Sequence, residues 1–311
     1  MGNSMEWVRF WGTRVTACMA SRFALGMAVL PLVVAAAAEP RRVDIGASIE
    51  LAVEVRGHGS IPVVFVHGYS LSRRTWDKVV SHFPADRYTT YAYDLRGFGE
   101  SSKPESGYTM RQHAQDLATL MDRLRLPRAV LVGHSLGGAI GQEFAVSYPG
   151  RVLALVTSDA FARHLPLPGI SDALRQRAAS FGSPEQNRRI LAAAVPRYFA
   201  PRNISAGDID LFTGITMQAS TPALRDQLLD AYSAPPLDAD KYRRLRIPVL
   251  AMSGANDTVV PVANAIALSD IVPDSEIALV PRAGHTPMWE RPADWLRPLL
   301  DFLARRLAIS P

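Results

Sequence analysis

Short apolar runs at residues 63–66, 88–93, 129–132, 152–156, 249–252 and 277–280 constrain this chain more than any other feature. A strand with one wet face alternates apolar with polar side chains, because successive residues point to opposite faces. These runs lack that alternation and read as strands covered on both faces, as in a parallel sheet with helices on each side. Residues 49–56 differ. There Ile49, Leu51, Val53 and Val55 alternate with Glu50, Ala52, Glu54 and Arg56, which predicts a strand with one buried face, followed by a hairpin turn at Gly57-His58-Gly59. Between the runs, Ala114, Leu117, Leu120, Met121 and Leu124 recur at helical spacing, and 140–146 and 293–307 read similarly. Strand and helix alternate, so the predicted class is α/β, with a mostly parallel central sheet and helices on both faces.

The alternation stops between Phe161 and Arg246, where helical pieces at 173–180, 184–199, 208–218 and 222–232 occur with no convincing strand. An insertion between two strands of a parallel sheet sits over their carboxyl ends, where open α/β sheets bind ligands. The expected division is therefore a core over 39–160, an inserted all-helical cap or lid over 161–246 and the rest of the core over 247–311. Residues 1–38 stand apart: Arg9, Arg14 and Arg22 precede the apolar run 23–34, and four alanines follow. That pattern predicts a secretory signal peptide and an exported product. The run falls short of the ~20 apolar residues of a membrane span. Counted with the alanines it leaves an uncleaved anchor as the alternative, the one case in which a membrane is a partner. Cys18, the only cysteine, lies in this leader, so a processed chain carries no thiol. The formal charge of +5 is spread over short, separate groups such as Arg41-Arg42 and Arg73-Arg74, a solvated surface rather than a nucleic-acid site.

The run at 129–132 leads into Gly133-His134-Ser135-Leu136-Gly137, a G-x-S-x-G pattern between a strand and a helix. A serine on so sharp a turn needs neighbours without bulk, and the helix start beside it favours developing negative charge. A serine hydroxyl also needs a base. His285 fits best among the seven histidines, because Gly284-His285-Thr286-Pro287 follows the last expected strand. The base needs an acid to fix its tautomer. Asp257, just past the strand at 249–252, is the first choice and Asp159, past 152–156, the second. Backbone donors for a tetrahedral oxyanion are expected from the amides of Leu136 and Tyr69, the latter in His67-Gly68-Tyr69.

Together these residues resemble the α/β-hydrolase superfamily, in the order serine, acid, histidine. Asp94-Leu95-Arg96-Gly97-Phe98-Gly99-Glu100-Ser101 is similar to the family's D-x-R-G-x-G-x-S loop, which is mainly structural there, and 284–292 to its G-H-x-P-x-x-E-x-P segment. The resemblance spans about 43–307. Ser135 sets the chain apart from members with an aspartate nucleophile. Leu136 sets it apart from prolyl iminopeptidases, and the single glycine in His67-Gly68-Tyr69 from the H-G-G-G loop of many lipases. The resemblance implies acyl transfer from an ester or lactone to water, and no metal or organic cofactor. Carbon–carbon bond hydrolysis, perhydrolysis with peroxide and an idle ligand sensor are the alternatives. Tyr69, Trp76, Phe161, Met217, Met288 and Trp289 are expected pocket walls, around a small to medium, mostly uncharged substrate. N-terminal sequencing of the mature chain is expected to begin near Glu39; a start at Met1 identifies the leader as an anchor instead.

Overall fold

A computed structural model of the chain describes residues 40–166 and 172–307. The expected leader, part of the segment around Leu165 and the last four residues lie outside the described residues. The strands are β1 (Arg41–Asp44), β2 (Glu50–Gly57), β3 (Ile61–Val66), β4 (Tyr88–Tyr93), β5 (Ala129–His134), β6 (Val152–Ser158), β7 (Val249–Gly254) and β8 (Ser275–Val280). They form one sheet in the order β1-β2-β4-β3-β5-β6-β7-β8. The pairs β1–β2 and β2–β4 are antiparallel and every other pair is parallel.

The core helices are α1 (Met110–Arg123) and α2 (Leu136–Ser147). Between β6 and β7 the described residues hold helices and no strand: α3 (Asp172–Ala179), α4 (Pro184–Ala194), α5 (Ala206–Thr216), α6 (Thr221–Ser233) and α7 (Ala239–Arg243). The chain closes with α8 (Ala263–Ile271), the short α9 (Pro287–Glu290) and α10 (Pro292–Arg306).

The lack of alternation in the strands has its cause in two apolar layers. On β3, Val64 and Val66 face one layer with Leu120, Ile140 and Phe144. Val63 and Phe65 face the other with Trp76, Trp295 and Phe302. One strand thus feeds both layers because its side chains alternate sides.

Three details differ from expectation. β1 has one buried residue, Val43, in Arg41-Arg42-Val43-Asp44, and carries too little apolar signal to be read as a strand. Gly57-His58-Gly59 does not close a hairpin, because β4 lies between β2 and β3, and the His58 amide donates to Ala85 O instead. β8 is an edge strand with a single neighbour, so Ile277 and Leu279 stay 42% and 51% exposed rather than covered on both faces.

The helical segment is tied to the core by polar contacts. Asp230 of α6 accepts from the Met110 amide at the start of α1, 2.9 Å away. Nearby, His113 Nε2 donates to Gln227 Oε1, and both side chains are buried. Burial, against a smaller opposing effect of that bond, lowers the His113 pKa from 6.5 to about 3. The unfolded chain therefore binds a proton that the folded chain refuses throughout that window, so this contribution to stability is lost as pH falls from 6.5 toward 3. Urea unfolding midpoints are expected to fall less steeply from pH 7 to pH 4 in His113→Gln than in the parent; equal slopes refute this account.

Candidate active site

The turn between β5 and α2 holds Ser135 at φ 51 and ψ −117, in the region disfavoured for residues with a Cβ. It is kept there from both sides. The Ser135 amide donates to Ser158 O at the end of β6, 2.8 Å away, and its carbonyl accepts from Gly138 and Ala139 at 3.0 and 3.1 Å. A Cβ at Gly137 would lie 2.0 Å from Val66 O, so α2 can approach β3 this closely only with glycine at that position.

His285 follows β8 on the loop before α9, and its Nε2 is 3.0 Å from Ser135 Oγ. Its Nδ1 lies 2.8 Å from Asp257 Oδ2. An ionised carboxylate only accepts, so the proton sits on Nδ1 and Nε2 is left to accept from the hydroxyl. The other Asp257 oxygen accepts from the Val259 and Val260 amides at 2.7 and 3.0 Å. Burial raises the Asp257 pKa, but His285 and these two amides outweigh it, and the net shift is downward.

Asp159, the second choice for the acid, lies close by without bonding to the imidazole. Its carboxyl accepts from the Gly254 amide at 2.8 Å and from Ser158 Oγ at 2.6 Å. Burial, and then the Asp257 charge, push it well above the ordinary carboxylate range. Asp159, Asp257 and His285 offer atoms within 4.8 Å of one another, the spacing of a metal site. The direct 2.8 Å contact from His285 to Asp257 and the amides on the other Asp257 oxygen account for this cluster as hydrogen bonding.

The loop after β3 passes beside the serine, such that a Cβ on Gly68 would lie 3.2 Å from Ser135 Cβ. The amides of Tyr69 and Leu136 have no acceptor among the described residues, and both residues line the same cavity as Ser135. Buried His67 sets this loop: its Nδ1 donates to Gly68 O at 2.8 Å and its Nε2 accepts from the Leu95 amide at 3.0 Å. Protonation would destroy the second bond, and burial lowers the pKa. Asp94 braces the same region by accepting from the backbone amides of Arg73 and Glu100 at 2.7 and 2.9 Å.

The cavity has a volume of about 250 Å³. Of the expected walls, Tyr69 and Phe161 line it, while Trp76, Met217, Met288 and Trp289 do not. Trp76 is buried between Phe65 and Trp295, and Met288 belongs to the same layer. Trp289 packs on Phe212 and donates to Asp208 Oδ1 at 2.9 Å, and Met217 packs against the cluster of Phe181 and Leu224. Sequence position alone does not say which side of a loop or helix faces the cavity. Unforeseen lining residues include Tyr198, Arg163, Arg177 and Arg197, and the three arginines add positive charge to a largely apolar wall. Position after a strand end signals Arg163, five residues past β6, but no local pattern marks the others.

His134 also borders the cavity. Its Nε2 donates to His285 O at 2.6 Å, and burial, then the nearness of His285, lower its pKa to about 3. It is a neutral prop beneath the imidazole.

Residues 61–200 match the model of the α/β hydrolase fold family. A 2-(acetamidomethylene)succinate hydrolase of Mesorhizobium japonicum is 32% identical over 272 residues, covering 85% of this chain and 94% of that protein. The chain belongs to the α/β-hydrolase fold family. Further similarities extend over most of the chain: a non-heme chloroperoxidase of Streptomyces lividans is 33% identical over 219 residues, covering 66% of this chain and 77% of that one. A thermophilic esterase from Thermogutta terrifontis, determined with malate bound, superposes with a TM-score of 0.74 at 28% identity, covering 86% of this chain and 99% of that one.

Within this α/β hydrolase, Glu290 anchors the histidine loop. Its Oε1 accepts from the Gly284 amide at 2.9 Å, and its Oε2 accepts from the Ala200 amide and Asn203 Nδ2 at 2.8 and 2.9 Å. Glu290→Ala leaves these donors unpaired and is expected to cost about 1 to 3 kcal/mol in urea unfolding. A change within error refutes the anchoring role.

Proposed function

We propose that the protein is a serine hydrolase that transfers the acyl group of an ester or lactone to water through an acyl-enzyme on Ser135. The observation that carries this is the continuous line from Ser135 Oγ to His285 Nε2, 3.0 Å, and from His285 Nδ1 to Asp257 Oδ2, 2.8 Å, beside two amides with no acceptor among the described residues. His285 takes the hydroxyl proton as Ser135 attacks the carbonyl carbon. The oxygen of the tetrahedral intermediate accepts from the Tyr69 and Leu136 amides, each such donor being worth about 10² to 10³ in rate. Collapse breaks the bond to the alcohol, which receives the proton from His285 Nε2. Water then attacks the acyl-enzyme, gives its proton to the same nitrogen, and releases the acid and the serine. Asp257 stays ionised throughout, holding the tautomer and stabilising the imidazolium. The helical segment between β6 and β7 supplies much of the cavity wall, in keeping with a cap over the site.

The likeness to a non-heme chloroperoxidase supports a second outcome of the same acyl-enzyme, attack by hydrogen peroxide in place of water to give a peracid. Carbon–carbon bond cleavage would use the same residues on a diketone.

A fluorophosphonate probe is expected to label the parent protein and not Ser135→Ala. Labelling is expected to slow by several orders of magnitude in His285→Ala and by about 10⁴ in Asp257→Asn, as in other serine triads. Equal labelling of parent and Ser135→Ala refutes the proposal. Turnover of p-nitrophenyl acetate, set against halide oxidation with acetate and peroxide, separates water from peroxide as the acceptor.

A further inference from the structure

The charge inside the cavity goes further than the acyl chemistry. Three arginines, Arg163, Arg177 and Arg197, line the cavity together with Ser135 and His285, and among the described residues no aspartate or glutamate does. None of the three forms an ion pair among the described residues, although arginines elsewhere in the chain, such as Arg73 and Arg96, are paired. Arg163 is 2% exposed, and of its guanidinium only Nη2 has a partner among the described residues, Pro235 O at 3.0 Å. Its Nε and Nη1 are buried with no partner among the described residues, and so is Arg177 Nε. Asp230 feels the Arg163 charge, but its carboxylate accepts from the Met110 amide and makes no ion pair with it.

A guanidinium keeps its proton in any protein interior, so it cannot escape the cost of burial by going neutral, as a lysine can. Positive charge on a cavity wall, offset by no acid among the described residues, fits an anion that arrives with the ligand. Guanidinium N–H groups form a planar fork that matches a carboxylate at two points. A phosphate group also suits such a fork, but a free carboxylate near the scissile carbonyl is what a half-ester or lactone of a diacid carries, and that is the carbonyl the acyl chemistry at Ser135 would take.

We infer that the cavity is built for a carboxylate-bearing substrate, an ester or lactone in which a second, free carboxylate is held by Arg163 and Arg177 while the scissile carbonyl meets Ser135. The exposed Arg197 adds positive charge to the approach. This rests on the serine-hydrolase function proposed above and names its substrate class.

The test compares kcat/KM of the full chain on p-nitrophenyl hydrogen glutarate with that on the neutral p-nitrophenyl pentanoate, of similar length. A third ester, 4-carboxyphenyl pentanoate, carries the charge on the leaving group. One of the two anionic esters is expected to be preferred over its neutral counterpart, and which one tells whether the arginines face the acyl or the alcohol side. In Arg163→Gln and Arg177→Gln the ratio of anionic to neutral kcat/KM is expected to fall about tenfold to hundredfold, mainly through KM, as for loss of a charged hydrogen bond. Glutarate is expected to compete with the neutral ester in the parent and to bind more weakly in both variants. If Arg163→Gln does not fold, Arg163→Lys, which keeps the charge and loses the fork, takes its place beside Arg177→Gln.

Normal fluorophosphonate labelling of Ser135 with no preference for either anionic ester and no inhibition by glutarate overturns the carboxylate site and leaves the hydrolase standing. Absence of labelling overturns the hydrolase. In that case calorimetric titration of glutarate into the parent and Arg177→Gln still decides the anion site, upheld by binding that the substitution weakens and overturned by no binding to the parent.

Discussion

The backbone of one residue sets the terms for the rest of the site. Ser135 occupies a left-handed conformation that costs of order 1 to 3 kcal/mol for a residue with a side chain, and the surrounding structure has to hold it there. The hydrogen bond from its amide to Ser158 O, the two hydrogen bonds its carbonyl accepts and the start of α2 do so. In return the hydroxyl stands clear of the sheet, the first amide of a helix lies free beside it, and β3 comes close enough to bring Tyr69 to the other side. A relaxed turn would let the strand run on and take the hydroxyl back into the sheet.

Around that turn the polar groups are sorted by burial rather than by residue type. His67 and His134 are buried and shifted down, so they act as neutral struts, one shaping the Gly68 loop and one bearing on the His285 carbonyl. Two neighbouring carboxyls part ways. Asp257, with an imidazole and two amides, is favoured as the anion, whereas Asp159, buried against that anion, is pushed toward its protonated form. Two like charges so close in a low-dielectric setting could not both persist, and the unequal supply of donors decides which one stays.

The positive cavity wall obeys a different logic. Arg73 and Arg96 pair with acids and serve to brace loops. Among the described residues Arg163 and Arg177 have no acid paired with them. The same residue type therefore reads as scaffold where it is paired and as recognition where it is not, a distinction made by surroundings alone.

Much of this was legible along the chain. Apolar runs located seven of the eight strands, because burial on both faces or on one leaves a pattern in the residues themselves; β1, with a single buried valine, left none. Glycines around Ser135, and a histidine and an aspartate just past strand ends, marked the residues that meet, since a sharp turn and a strand's carboxyl end are local properties. The position of β4 between β2 and β3 and the exposure of β8 were decided only by tertiary structure, because each depends on which segment packs alongside. So were the walls: Trp76 and Met288 turned into the core while Tyr198 and three arginines reached the cavity, for the direction of a side chain is set by the three-dimensional packing of helices against a sheet and not by its neighbours in sequence.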